Sequence, residues 1–174
     1  MKTLENSVIR LRNIEPQDLD FLYNTENNIE LWEISNTFQP FSKYILQKYI
    51  ENSHLDIFTT KQVRFIIETV EEHKIAGLIE LFDYDPIHLR AGTGIHIINN
   101  EQRKHYAENA LSVLINYCRN ILRLNQIYCD IGADNTASIK LFEKIGFELS
   151  GTKKQWLNTA EGFKDVLFYQ LILG

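Results

Sequence analysis

The sequence predicts an α/β fold: a mixed sheet with helices on both faces. Strand-like and helix-like periodicities follow one another in the order β-α-α-β-β-β-α-β-α-β-β. A strand-like run, Gly94-Ile95-His96-Ile97-Ile98, breaks at Asn99-Asn100 and feeds a long helical pattern through a short polar stretch. The 174 residues, 44% hydrophobic and 24% charged, suit one domain spanning 1–174. Such a chain buries about two-thirds of its unfolded surface.

Each element has its own signal. Residues 7–13 alternate, with Val8, Ile9 and Leu11 set against Arg10 and Arg12, and predict the first strand. Pro16 fits the first turn of a helix, where its missing N–H costs nothing. Leu19, Phe21, Leu22 and Tyr23 give that helix an apolar face, and it ends near Asn27-Asn28. Residues 29–41 read as irregular and aromatic, with Trp32, Phe38 and Phe41 beside Glu30 and Glu33. Ser42 is the expected N-cap of a helix over 43–52. Residues 62–70 and 74–84 form a hairpin around Glu71-Glu72-His73, and Asp85-Pro86 ends its second arm. Residues 90–98 supply the fourth strand.

The long helix then follows, with Ala107, Ala110, Leu111, Leu114, Cys118, Ile121 and Leu122 on one stripe. Gln126 to Gly132 is a short strand with Ile127, Cys129 and Ile131 on one face. Asp134-Asn135-Thr136 caps a helix over 137–144 that Gly146 ends in the left-handed conformation. Residues 147–151 and 163–173 are the closing strands.

Bulk properties exclude several classes. No apolar run approaches the ~20 residues of a membrane span, and Met1 leads into polar sequence rather than a secretion signal. Cys118 and Cys129 lie in apolar patterns and read as buried thiols of a reducing cytoplasm, not as a disulfide or metal pair. A net charge of −5 argues against nucleic-acid binding and favours a cationic partner. The start of the long helix is a natural anion site, because its first N–H groups lack partners and the helix dipole is positive there. Arg103 and Lys104 strengthen it, and a phosphate-bearing cofactor is expected.

The segment Asn135-Thr136-Ala137-Ser138-Ile139-Lys140-Leu141-Phe142-Glu143-Lys144-Ile145-Gly146-Phe147 resembles the GNAT-superfamily N-acetyltransferases. It matches their pattern at Asn135, Ser138, Leu141, Lys144, Gly146 and Phe147. The resemblance covers nearly the whole chain and is strongest to the spermidine/diamine branch, with the ribosomal-protein N-acetyltransferases next. It implies a mostly antiparallel sheet of about seven strands, flanked by about four helices and splayed between strands four and five. It also implies acetyl-CoA as donor and a primary amine as acceptor, either a small polyamine or diamine or a protein N-terminus, and a homo-oligomer. The pantetheine is then expected on the backbone of Ile97 and Ile98 and the pyrophosphate on Gln102, Arg103, Lys104, His105, Tyr106 and Ala107. Asn135, Ser138, Phe142 and Lys144 complete the expected cofactor site.

Three departures bear on chemistry. His105 replaces a glycine of the family loop, Phe142 replaces the tyrosine that protonates the leaving thiolate, and Gly92 stands where many relatives carry a glutamate. Tyr128, Tyr106 or a water is the expected substitute acid, and Glu80, with Glu30 and Glu33, the expected carboxylate set facing the amine. His96, in an apolar strand, reads as a core histidine. A non-catalytic CoA-binding module is the rival that these departures suggest.

Overall fold

The computed structural model describes residues 4–35, 37–98 and 105–174. Seven strands form one sheet: β1 (Ile9–Asn13), β2 (Val63–Thr69), β3 (Ile75–Asp85), β4 (Arg90–Ile97), β5 (Gln126–Gly132), β6 (Glu148–Thr159) and β7 (Gly162–Ile172). Their order is β1-β2-β3-β4-β5-β7-β6. Every neighbouring pair is antiparallel except β4 and β5. The helices are α1 (Leu19–Glu26), α2 (Ile29–Ser35), α3 (Lys43–Glu51), α4 (Ile57–Thr60), α5 (Tyr106–Tyr117) and α6 (Thr136–Ile145). None of the described helices is long and apolar enough to cross a membrane.

The predicted caps form. Ser42 Oγ accepts the Ile45 N–H at 3.2 Å, and Asn135 Oδ1 accepts the Ser138 N–H at 3.1 Å. Gly146 ends α6 at φ 105°, a conformation that costs glycine little. Each face of the sheet carries its own core. Ile67, Ile79, Leu81, Ile127 and Cys129 pack with Leu111 and Leu114 of α5 and Phe142 of α6. Ile66 and Leu78 pack with Leu22 of α1 and Leu46 and Ile50 of α3. Buried Asp18 ties β1 to α1, accepting from Arg12 at 2.8 and 3.0 Å and from the Glu15 N–H at 2.8 Å.

Four expectations are corrected. Residues 29–35 are helical rather than irregular, because Asn28 Oδ1 accepts the Glu30 N–H and the Trp32 indole donates to the Glu26 carbonyl. The short α4, capped by Asp56, is a second helix that the pattern hid, so six described helices stand where about four are expected. Ile121 is 53% exposed despite its place on the apolar stripe. Residues Cys118–Leu122 form a π-helical turn, whose wider winding rotates Ile121 off the buried face. The sixth strand runs to Thr159, well past residue 151, as an edge strand whose register shifts twice against β7. Those shifts mask its alternation in the sequence.

The thiols behave as expected. Cys118 and Cys129 are buried and unpaired, and burial pushes both up to about 12. They stay protonated in the folded protein while unfolded thiols ionise near ~8.5, so this contribution to stability is present below that pH and fades as pH rises above it. At pH 8 neither thiol should react with an aromatic disulfide reagent in the native protein, and both should after denaturation. A second test concerns Gly77, where an added Cβ would lie 2.0 Å from the His96 carbonyl oxygen. Gly77→Ala should destabilise the fold by about 1–3 kcal/mol in urea titrations, since backbone must shift to admit the methyl.

Candidate active site

The parallel pairing of β4 with β5 is short: Arg90 with Gln126, Ala91 with Ile127 and Gly92 with Tyr128. Beyond Gly92, β4 continues beside β3 as far as Ile97, with no β5 partner. The Ile98 N–H is engaged by the Ala76 carbonyl at 2.9 Å. Successive peptides of a strand point to opposite sides, so Ile97 and Ile95 direct their backbone groups into the gap. Among the described residues these peptide groups have no strand partner, so the gap suits an extended amide-bearing chain such as pantetheine. Ile97 faces its backbone groups into the gap, whereas the Ile98 amide is already bonded to β3.

At the far end of the gap α5 begins. Gln102, Arg103 and Lys104 lie outside the described residues. His105 precedes the helix at φ 58°, ψ 18°, so it adopts the left-handed conformation that a glycine would supply in the family loop. Tyr106 and Ala107 form the first turn, where the helix dipole is positive. Lys144 Nζ sits 2.7 Å from Glu108 Oε2, and the His105 Nδ1 is 3.4 Å from the same oxygen. Lys144 and His105 together hold the Glu108 carboxyl below the usual range. Lys144 thus belongs to the α5 terminus. Asn135 and Ser138 lie toward the opposite end of α6, about 14 and 9 Å along the axis from Lys144 at ~1.5 Å per residue, with Asn135 engaged as the cap.

The sheet face under α1 and α3 carries the charged groups. Glu80 lies opposite Gly94, the second residue past the last β4–β5 pair. Its Oε2 accepts from Arg64 Nε at 2.9 Å, and Arg64 Nη1 reaches Glu26 Oε1 on α1 at 2.5 Å. Burial disfavours the charge on Arg64, but Glu80 and Glu26 outweigh it and hold the guanidinium charged. Two carboxylates against one guanidinium leave one unit of negative charge beside the gap. Glu30 is exposed on α2, and the Glu33 side chain lies outside the described residues.

Tyr128 projects from the same face opposite Gly92. Its ring meets Phe82 edge-on at 6.3 Å and Phe168 at 5.5 Å. Burial, then Asp83, raises its phenol, which stays protonated at neutral pH. An added Cβ at Gly92 would lie 2.3 Å from the Phe82 ring, so that ring fills the space a glutamate would need. Phe142 is buried edge-on against Phe147 at 4.9 Å. It packs and offers no proton. Beside Tyr128 opens a cavity of about 460 Å³ lined by Asp83, Asp85, Arg90, Gln126, Phe168 and Gln170. Among the described residues no acidic, His or Cys cluster is suited to a metal ion.

Residues 9–148 match the family model for the acetyltransferase (GNAT) domain. The chain belongs to the GNAT acetyltransferase family. A spermidine N(1)-acetyltransferase of Vibrio cholerae is 31% identical over 147 residues, covering 84% of this chain and 82% of that protein. The crystal structure of spermidine N-acetyltransferase from Vibrio cholerae in complex with CoA and spermine superposes with a TM-score of 0.86 at 26% identity, covering 97% of each chain. A dodecameric structure of the Vibrio cholerae enzyme in an intermediate state gives 0.78 at 26% identity, covering 97% of this chain and 95% of that one. Acetyl-CoA is the acyl donor of this GNAT enzyme and an amine nitrogen its acceptor.

The structure thus brings Glu80 and Tyr128 to the mouth of the gap. Arg64, Glu26, Asp83 and Asp85 join them without having been singled out in the sequence. Only the closeness of Asp83 and Asp85 to the strand break at Pro86 hinted at the acidic pair. The left-handed His105 yields a test. His105→Gly keeps that backbone conformation at lower cost and removes a side chain from the phosphate approach. Calorimetry should find CoA bound about three- to tenfold more tightly, roughly 1 kcal/mol. Weaker binding would instead mean that the imidazole donates to phosphate.

Proposed function

We propose that this enzyme acetylates a primary amine of a polyamine or diamine. The observation that carries this reading is the placement of two anionic centres on one face of the sheet. Glu80 and Glu26 around Arg64 form the first. Asp83 and Asp85, opposed by Arg90, form the second in the cavity beside Tyr128. Glu80 and Asp83 are three residues apart on β3, about 10 Å at the rise of a strand. That spacing suits a flexible cation with separated ammonium groups, whose methylenes lie against Tyr128 and Phe168. The names of the Vibrio cholerae relatives, spermidine acetyltransferases, support the same acceptor class.

Acetyl-CoA supplies an activated thioester. In the proposed arrangement Ile95 and Ile97 hold its pantetheine arm, and the start of α5 with Lys144 holds its phosphates. Tyr128, protonated and itself in the last β4–β5 pair, gives its proton to the departing thiolate in place of the absent tyrosine at 142. Glu80, fixed by Arg64, orients the ammonium over Gly94. The exposed Leu149, Trp156, Phe163 and Ile172 of β6 and β7, with the dodecameric relative, support a homo-oligomer. The unpaired thiols support a cytoplasmic setting.

A thiol-release assay with acetyl-CoA and a panel of spermidine, spermine, short diamines and an N-terminal peptide tests the acceptor. Polyamines should give the highest kcat/KM; a preference for the peptide would sink the reading. Asp83→Asn should raise the polyamine KM about three- to tenfold, the loss of one exposed charge contact, with the KM for acetyl-CoA unchanged.

A further inference from the structure

We propose that His96 accepts the proton that the incoming ammonium must lose before its nitrogen can attack the thioester, an assignment that rests on the amine-acetylation reading above. Gly92, Gly94 and His96 alternate onto the face that bears Glu80, because Glu80 pairs with Gly94 and Leu78 with His96. Tyr128 stands opposite Gly92. Along β4 the last paired residue and His96 therefore lie about 7 Å to either side of Gly94. A thioester carbon seated over Gly94 would have the phenol of Tyr128 on one side and an imidazole on the other, each within a side chain's reach. Neither glycine places a side chain between them.

His96 has the properties of a proton acceptor there. It lies on the stretch of β4 that β5 leaves unpaired and is half-buried rather than sealed in the core. No hydrogen-bonding partner engages its ring among the described residues, and burial lowers its pKa, so the imidazole is neutral at pH 7. Among the described residues, the ionisable groups around this end of the face are Glu26 from α1, Tyr49 from α3, Arg64 from β2 and Glu80 from β3, with Tyr128, Asp83, Asp85 and Arg90 further along it. Of these, Glu26 acts on His96 in the opposite sense, favouring the imidazolium.

Glu80 is the less able base. Its Oε2 is held by Arg64 through two nitrogens at 2.9 and 2.8 Å, so protonating it would break charged hydrogen bonds. Ordinary carboxylates also lie about two pKa units further than imidazole from an alkylammonium near ~10.4. Position 92 offers no carboxylate either, since it is glycine and the Phe82 ring occupies the space a side chain would need. His96 is thus the better-placed acceptor on this stretch of β4.

The proton count closes. His96 takes one proton from R–NH3+ and becomes imidazolium, and the free amine forms the N–C bond. The C–S bond breaks as Tyr128 protonates the thiolate. The second nitrogen proton passes to the Tyr128 oxygen, and His96 returns its own proton to solvent. The products are the amide, CoA thiol and one released proton.

The test is the pH dependence of kcat/KM for the best amine of the panel. Wild type should lose activity as pH falls through an acidic limb below about pH 6.5. His96→Gln should lower kcat/KM about 100-fold at pH 7, and the deficit should shrink toward pH 9 as solvent supplies free amine. CoA affinity of the variant, by calorimetry, should match wild type. Glu26→Gln should move the acidic limb to lower pH, since the carboxylate that favours imidazolium is gone. A His96→Gln enzyme with wild-type kcat/KM at pH 7, or one reduced by the same factor at every pH, overturns the assignment. So does an acidic limb that Glu26→Gln leaves in place. A wild-type enzyme that acetylates no amine would fail the acceptor reading first, before any variant is compared, and His96 would fall with it.

Discussion

The whole arrangement depends on the three residue pairs that join β4 to β5 and on their stopping at Gly92. A parallel pair is the weaker kind of ladder, and here it is kept only long enough to hold the two halves of the sheet together. Where it ends, β4 retains β3 on one side and, among the described residues, has no strand partner on the other. Buried peptide groups demand partners, so the gap is chemically suited to another extended, amide-bearing chain. The same break brings side chains from both halves to one mouth: Glu80 and His96 from one, Tyr128 from the other.

Charge placement on the two faces follows from what covers them. On the α5 and α6 side the sheet is closed by aliphatic side chains and two thiols held protonated. On the α1 and α3 side the small apolar cluster ends near Leu78, and beyond it Arg64, Glu26 and Glu80 form a half-buried network. Removing any one member of such a network would leave a partner's charge desolvated and uncompensated. Its excess of one negative charge, repeated at Asp83 and Asp85, gives this face an affinity for cations that the overall charge of −5 only hints at.

The departures from the family pattern acquire physical explanations in the fold. His105 takes the backbone conformation of the glycine it replaces, which is open to histidine at modest cost. Phe142 completes the core against Phe147, and in the mechanism proposed above Tyr128 of β5 supplies the proton it cannot give. Gly92 is covered by the Phe82 ring, so no carboxylate could stand there without repacking. Each substitution is local, and none disturbs the gap, which explains why an enzyme reading survives them.

The sequence by itself determined the local features. Periodicity located the strands and long helices, Ser42 and Asn135 announced the caps, and Gly146 the stop, because these signals act between near neighbours. It also located Glu80 and Tyr128 on strands. Where distant segments meet, the tertiary structure decided. The short α2 and α4 depend on single side-chain contacts, the π-helical turn rotates Ile121 out of the core, and the Arg64 network joins residues 38 and 16 positions apart. His96 is the clearest case: an apolar neighbourhood in the chain suggests a core residue. Strand register and the missing β5 partner put it at the mouth of the gap, and no pattern along one strand encodes where its neighbour leaves.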